Sequence, residues 1–257
     1  MSHNKVEVLI TTMNMASAPE LVKKMNIHTD ALIGNQTDYN CISDEIIDDH
    51  HIKIFSFKER GVGLNRNNLL MRSNADYCLF GDDDLVYVDD YEKILIEQFE
   101  KNPNADILIF NLEEENSQRY QITKKFKVNY FNFMRFGAAR IAIRRRAVSM
   151  NAIYFNQNFG GGCQYSHGED TLFLSECLKK KLTIYAVPVT IAKLTDERES
   201  TWFKGYDDKY FKDKATLYYI MLKKYYKLLC LQDSIRHKKL YGNELSCREI
   251  YKKMIQK

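Results

Sequence analysis

Short apolar runs rich in β-branched and aromatic residues alternate with helical patterns along most of this chain, and that alternation limits the folds open to it. The runs are Val6 to Thr12, Ala31 to Gly34, Ile52 to Phe57, Tyr77 to Phe80, Ile107 to Phe110, Arg140 to Ile143 and Leu182 to Val189. Between several of them, Glu20 to Ile27, Leu64 to Ser73, Tyr91 to Lys101 and Asp170 to Lys180 carry helical patterns. Strands alternating with helices give an α/β fold, a mainly parallel central sheet with helices on both faces. Ligands bind such sheets beyond the carboxyl ends of the strands, where the chain turns into loops.

Three polar segments occupy such ends: Thr11-Thr12-Met13-Asn14, Asn35-Gln36-Thr37-Asp38 and Asp82-Asp83-Asp84. Three successive carboxylates behind an apolar strand are costly unless a cation, hydrogen bonds or water compensates them. Mg²⁺ or Mn²⁺ suits such a cluster, and Mg²⁺ usually takes one or two carboxylates plus the phosphates of a substrate. The other reading is a solvated acidic turn that feeds the helix beginning near Asp89. A second constellation runs from Phe159 to Thr171, where Gly160-Gly161-Gly162 allows close backbone approach and Glu169-Asp170 starts a helix. A flexible turn and helix capping account for the same residues structurally. Both constellations together match what metal-assisted group transfer needs: one carboxylate site for the cation and another to activate the nucleophile.

The 257 residues suit one large α/β domain or one domain with an appendage. Six cysteines without a C-x-x-C pair read as reduced thiols of a cytosolic protein. No signal peptide and no run of about 18 apolar residues is present, which predicts a soluble or peripheral protein. Lys204 to Lys257 holds 14 Lys+Arg against 6 Asp+Glu, a net +8, and the residues before it carry −4. The spacing predicts one amphipathic helix over Ala215 to Leu231, with apolar positions 217, 221, 225 and 228 and a flank of Lys223, Lys224 and Lys227. That stripe either packs on the protein's own sheet or rests on anionic lipid headgroups. No nucleic-acid partner is expected, because the basic region lacks a recognisable motif and the rest is net acidic.

Taken in order over residues 5 to 205, these segments resemble a bacterial family 2 glycosyltransferase with the GT-A fold. The resemblance is carried by Thr11-Thr12-x-Asn14, Ile33 to Asp38, Gly61-Val62-Gly63-Leu64-Asn65-Arg66-Asn67, the acidic triplet, Gly161-Gly162 with Glu169-Asp170, and Ser200-Thr201-Trp202-Phe203. It implies a nucleotide-sugar domain over residues 1–204 and a basic, Tyr-rich helical extension over 205–257. Thr12 and Asn14 would sit beside the nucleotide, Asp38 would accept from a uracil N–H, and Arg66 would lie near the nucleotide or its phosphates. Asn65 replaces a small residue of the family pattern. Asp82 and Asp83 would face the nucleotide, Asp82 and Asp84 would hold Mn²⁺ or Mg²⁺, and Asp170 would be the general base. Gly161, Gly162, Glu169 and Trp202 would contact acceptor or sugar. Gly81, where relatives carry a bulkier residue, implies a wider site, and Lys193, Arg198 and His237 are candidates for a basic clamp.

The implied activity is a metal-dependent, inverting transfer of a sugar from a nucleotide-diphosphate donor, UDP-linked, to a saccharide or lipid-linked saccharide acceptor. The implied setting is cell-surface polysaccharide synthesis, by a cytoplasmic protein whose C-terminal region makes a peripheral contact with the inner face of the membrane. A sugar-phosphate nucleotidylyltransferase is the second enzyme reading, but the loop Thr11 to Ser17 has neither the glycines nor the basic residues that hold a triphosphate. A non-catalytic carbohydrate- or nucleotide-binding module, with the triplet around a structural cation, is the third.

Overall fold

A computed structural model describes residues 5–114, 120–195, 205–242 and 245–256. The chain runs β1 (Val6–Met13), α1 (Ala18–Lys24), β2 (Asp30–Gln36), β3 (Cys41–Ile47), β4 (His50–Phe57), α2 (Val62–Arg72), β5 (Tyr77–Asp82) and β6 (Leu85–Tyr87). It continues with α3 (Tyr91–Lys101), β7 (Ile107–Glu113), β8 (Phe126–Lys127), β9 (Ile141–Arg144), α4 (Arg145–Met150), α5 (Glu169–Lys179) and β10 (Ile184–Leu194). Helices α6 (Asp208–Leu222), α7 (Tyr226–Arg236) and α8 (Cys247–Ile255) follow.

The strands form one sheet in the order β3-β4-β2-β1-β5-β9-β7-β10-β6, with β8 paired to β10. Pairs β4/β2, β2/β1, β1/β5 and β7/β10 are parallel. Strand β9, from the run predicted at Arg140 to Ile143, lies antiparallel between β5 and β7. Because side chains alternate across a strand, β1 serves both layers. Val8 and Ile10 enter the core built with α1 and α3, and Leu9 enters the opposite core with α2 and α5.

Strand β3 is not visible in the apolar pattern. It is an edge strand whose Ile42 and Ile46 are 63% and 70% exposed, so it has no buried period-two face. Its turn into β4 is Asp48-Asp49, both with positive φ, which the primed hairpin turns require and Asp tolerates.

The helix predicted over Ala215 to Leu231 is two helices. The chain breaks at a single 3₁₀ turn, Lys223–Tyr225, and α6, α7 and α8 pack on one another around Phe211, Tyr218, Cys230, Ile250 and Met254. The stripe ends there as well: Leu217 is buried, but Tyr225 and Leu228 are 55% and 63% exposed. This cluster meets the body through Phe159 and Leu172 rather than through the sheet.

Candidate active site

Strands β1 and β5 are parallel neighbours with Thr11 opposite Asp82, so both carboxyl ends reach one rim. The Thr11 hydroxyl donates to Asp82 Oδ1 and the Thr12 hydroxyl to Asp83 Oδ2, each at 2.7 Å. Thr195 donates its backbone N–H and its hydroxyl to the Asp84 carbonyl at 2.8 and 2.9 Å, which ties the end of the triplet to the residue after β10. Gly81 does not widen this rim. A Cβ there would stand 2.6 Å from the Tyr87 hydroxyl, so the glycine makes room for a core tyrosine. Lys193 pairs opposite Val86, one strand from the triplet.

The nucleotide-side candidates lie along the same edge. Asn14 is exposed with a positive φ, and its N–H donates to the Gln36 carbonyl at 3.0 Å. Asp38 is exposed and accepts from Arg60 Nη2 at 2.9 Å, and Arg60 Nη1 donates to the Thr37 carbonyl at 2.6 Å. Arg60 has no part in the sequence-derived site.

Helix α2 carries the residue that joins the two acidic constellations. Gly61, at φ +125°, donates its N–H to Gln36 Oε1 at 2.8 Å and starts the helix. Asn65, larger than the family pattern, is accommodated by Gly34 on β2, where a Cβ would fall 2.2 Å from Asn65 Oδ1. Arg66 follows, 3% exposed. Its Nη2 donates to Asp82 at 2.9 Å, and its Nη1 donates to Asp170 at 2.8 Å and to Glu169 at 3.3 Å. The guanidinium thus joins Asp82 of the triplet to the Glu169-Asp170 pair. A buried Arg needs acceptors for its donors, and three carboxylates supply those of Nη1 and Nη2.

Aromatic packing sets that geometry. Arg66 lies over the Phe155 ring at 5.3 Å, Phe155 stacks on Phe173 of α5 at 4.3 Å, and both meet Phe80 of β5 edge-on. The Asn67 amide closes two hydrogen bonds with the Phe155 backbone, at 2.9 and 2.8 Å. Strand β5, helix α2 and helix α5 are thereby fixed around one cation.

Glu169 and Asp170 occupy the first turn of α5 behind Gly168, at φ +114°, where the helix macrodipole favours negative charge. Asp170 Oδ2 accepts the Ala138 N–H at 2.9 Å. Burial, reinforced by the charge of Asp170, pushes Glu169 up to about 7 against the pull of Arg66. Burial also raises Asp170, while Arg66 and the Ala138 N–H oppose it. Among the described residues, Arg66 is the cation that these three carboxylates share. Gly160 has a structural reason of its own, since a Cβ there would meet Val62 and the Glu169 carboxyl at 2.6 and 2.7 Å. Gly162, at φ +81°, belongs to the same turn.

A cavity of about 670 Å³ opens beside this cluster, bordered by Asp82, Gly161, Glu169 and Asp170, by residues 131–140, and by α6 and α7. The C-terminal helices contribute what the sequence did not mark. Asp213 of α6 accepts from the Ser166 N–H and hydroxyl, both at 2.9 Å, and from Lys209. With its proton given to Asp213, Ser166 Oγ must accept from His167 Nδ1 at 3.0 Å, which fixes the tautomer and leaves Nε2 an acceptor. His167 stacks on Tyr210 and lines the cavity, and burial together with the charge of Lys214 pushes it down to about 4. Deeper in, Asp233 accepts from Tyr218, Tyr241 and His237 and pairs with Lys214 at 3.0 Å. Burial alone would raise its carboxyl, but these partners hold it far below the usual range. The one signal in the sequence is that Asp233 is the only acid between Lys214 and Gly242. Trp202 and Arg198 lie outside the described residues.

The glycosyl transferase family 2 model matches residues 21–157, more than half of the chain. Among solved structures, S. aureus TarS 1-349 in complex with UDP-GlcNAc superposes with a TM-score of 0.66 at 15% identity, covering 91% of this chain and 73% of that one. The same fragment in complex with UDP gives 0.62 at 14% identity, covering 95% and 76%. Comparison with curated proteins finds no match. The chain belongs to glycosyl transferase family 2 and is a glycosyltransferase with the GT-A fold.

Proposed function

We propose that the protein transfers a sugar from a UDP-linked donor to a saccharide acceptor with inversion, and that Asp170 is the general base. The observation that carries this reading is the Arg66 clamp, which holds Asp82 at the strand rim and Asp170 at the helix start beside one cavity. The UDP-GlcNAc and UDP bound in the TarS structures support a uridine nucleotide. Thr12, Asn14, Asp38 and Asp83 form the nucleotide side of the rim. Gly161, Glu169 and the cavity wall of α6 receive the acceptor, with Gly162 shaping that turn.

The rim's donor set fits a divalent ion. Carboxylate oxygens held at one strand end suit hard Mn²⁺ or Mg²⁺, which complete their shell on substrate phosphates. Among the described residues no three His, Cys, Asp or Glu side chains assemble a closed cation site, so Asp82 and Asp84 would hold the ion together with the donor. When bound, it would offset the charge of the departing diphosphate.

Inversion requires a base opposite the leaving group and within hydrogen-bond reach of the acceptor hydroxyl. Arg66 and the Ala138 N–H orient Asp170 and favour its ionised form. His167 Nε2 accepts a second hydroxyl of the acceptor. The setting is cell-surface polysaccharide synthesis in the cytoplasm, on a saccharide carried by lipid at the inner face of the membrane. Incubation with Mn²⁺ and a panel of nucleotide sugars tests the donor assignment. Slow hydrolysis of one UDP-sugar supports it, and cleavage of none, or of a nucleoside triphosphate with sugar phosphate, removes it.

A further inference from the structure

Helix α7 is built inside out. Its buried residues are Cys230, Asp233 and Ser234, and on the opposite side Leu228, Leu231 and Ile235 are 63%, 45% and 62% exposed. Positions 228, 231 and 235 share one helical face. The patch continues around the 3₁₀ turn through Tyr225 and onto α6 through Tyr219, Ile220 and Leu222, all exposed. A helix that only stabilised its domain would turn all of its leucines inward, whereas of the three in α7 only Leu229 packs on the cluster. The inward face mixes Tyr226, Leu229 and Cys230 with Asp233, the shared acceptor of Lys214, Tyr218, His237 and Tyr241.

Charge is sorted just as sharply. From Lys214 to Gly242 inclusive the sequence holds seven Lys+Arg and a single acid, Asp233, which is 3% exposed. Lys223, Lys224, Lys227 and Arg236 are exposed around the apolar patch. Its surroundings in this stretch therefore present cations and no exposed carboxylate. No helix among the described residues is long and apolar enough to cross a membrane.

We propose that this face, α7 with the C-terminal end of α6, seats on an anionic lipid bilayer. The leucines, Ile235 and the tyrosines enter the headgroup boundary, and the lysines and Arg236 meet the lipid phosphates. A second copy of the chain is a poorer occupant, because an isologous contact would bring the same cations together. The proposal rests on the membrane setting given above and names the surface that makes the contact. Because α6 also carries Tyr210 and Lys214 to the cavity wall, seating it would present the cavity at a fixed distance from the bilayer.

Co-sedimentation of the full chain with phosphatidylcholine vesicles, with and without about a third of phosphatidylglycerol, tests the seat. Binding is expected only to the anionic vesicles and should weaken as salt rises. Leu228→Glu with Ile235→Glu, and separately Lys223→Gln with Lys224→Gln and Lys227→Gln, should each weaken binding by about tenfold or more. All of these positions are exposed, so a thermal unfolding midpoint like that of the wild type is expected. Equal binding to neutral vesicles, no binding to anionic ones, variants that bind like the wild type, or a dimer dissolved by the Leu228/Ile235 change would each overturn the proposal. Thermal stabilisation by UDP with Mn²⁺, read on the same samples, reports on the donor site independently of the lipid seat.

Discussion

The molecule holds two buried polar clusters that are near inversions of each other. Around Arg66, three carboxylates share that cation among the described residues; Glu169 is pushed up by burial and by the charge of Asp170, and Asp170 by burial and by Asp82. Around Asp233, one carboxylate faces a lysine, a histidine and two tyrosine hydroxyls, and its carboxyl is held down. The second cluster satisfies itself and can serve architecture. The first borders an open cavity and holds carboxyls raised by burial, the setting in which a cationic ligand or a proton in transit acts.

Substitutions should separate the two. The largest expected effect is that of Arg66→Met, which strips three carboxylates of their cation. It should cost about 3–5 kcal/mol in urea unfolding at neutral pH, less in acid, and should abolish transfer. Asp170→Asn should lower the transfer rate by about 10²–10⁴ while UDP still raises the melting temperature; full turnover would remove Asp170 as base. Asp233→Asn should cost roughly 2–3 kcal/mol of stability and leave UDP binding intact. Gly34→Ala should cost about 1–3 kcal/mol and weaken transfer, because the new methyl displaces Asn65 and with it Arg66.

The smallest effect is the most diagnostic of the inversion. Glu169 sits at about 7, above its ordinary 4.5. Stability linked to its proton is therefore complete below about 4.5 and lost as pH rises through about 7. Asp233 is held below its ordinary 3.8, so its contribution is present above that value and lost only as strong acid protonates it. His167, held at about 4, contributes in the opposite sense up to its ordinary 6.5, so the Glu169 loss is read above about pH 6.5, where the melting temperature should fall toward pH 8. Glu169→Gln should flatten that slope, and Asp233→Asn should not.

Much of the rim was legible in the sequence, since β1, β5 and α5 follow from buried periodicity, and their polar ends from residue type. Strand β9 was legible as a strand but not in its direction, because an isolated apolar run does not encode its neighbours. The role of Arg66 was not legible: its partners Glu169 and Asp170 lie 103 and 104 residues away, and only the Phe80-Phe155-Phe173 packing brings them together. The break at Lys223–Tyr225 was masked by continuous helix-compatible residues. Helix α8 carries its start signal in Ser246 and Glu249, which form a capping box, but at 9 residues its apolar pattern is too short to mark a helix by period alone.

Titration of UDP into the protein with Mn²⁺, followed by thermal unfolding of the wild type and of Asp84→Asn, tests the rim as a diphosphate and cation site most directly. A clear rise in melting temperature that requires both UDP and Mn²⁺ and disappears in Asp84→Asn is expected. Equal stabilisation of both proteins, or none in the wild type, would contradict it.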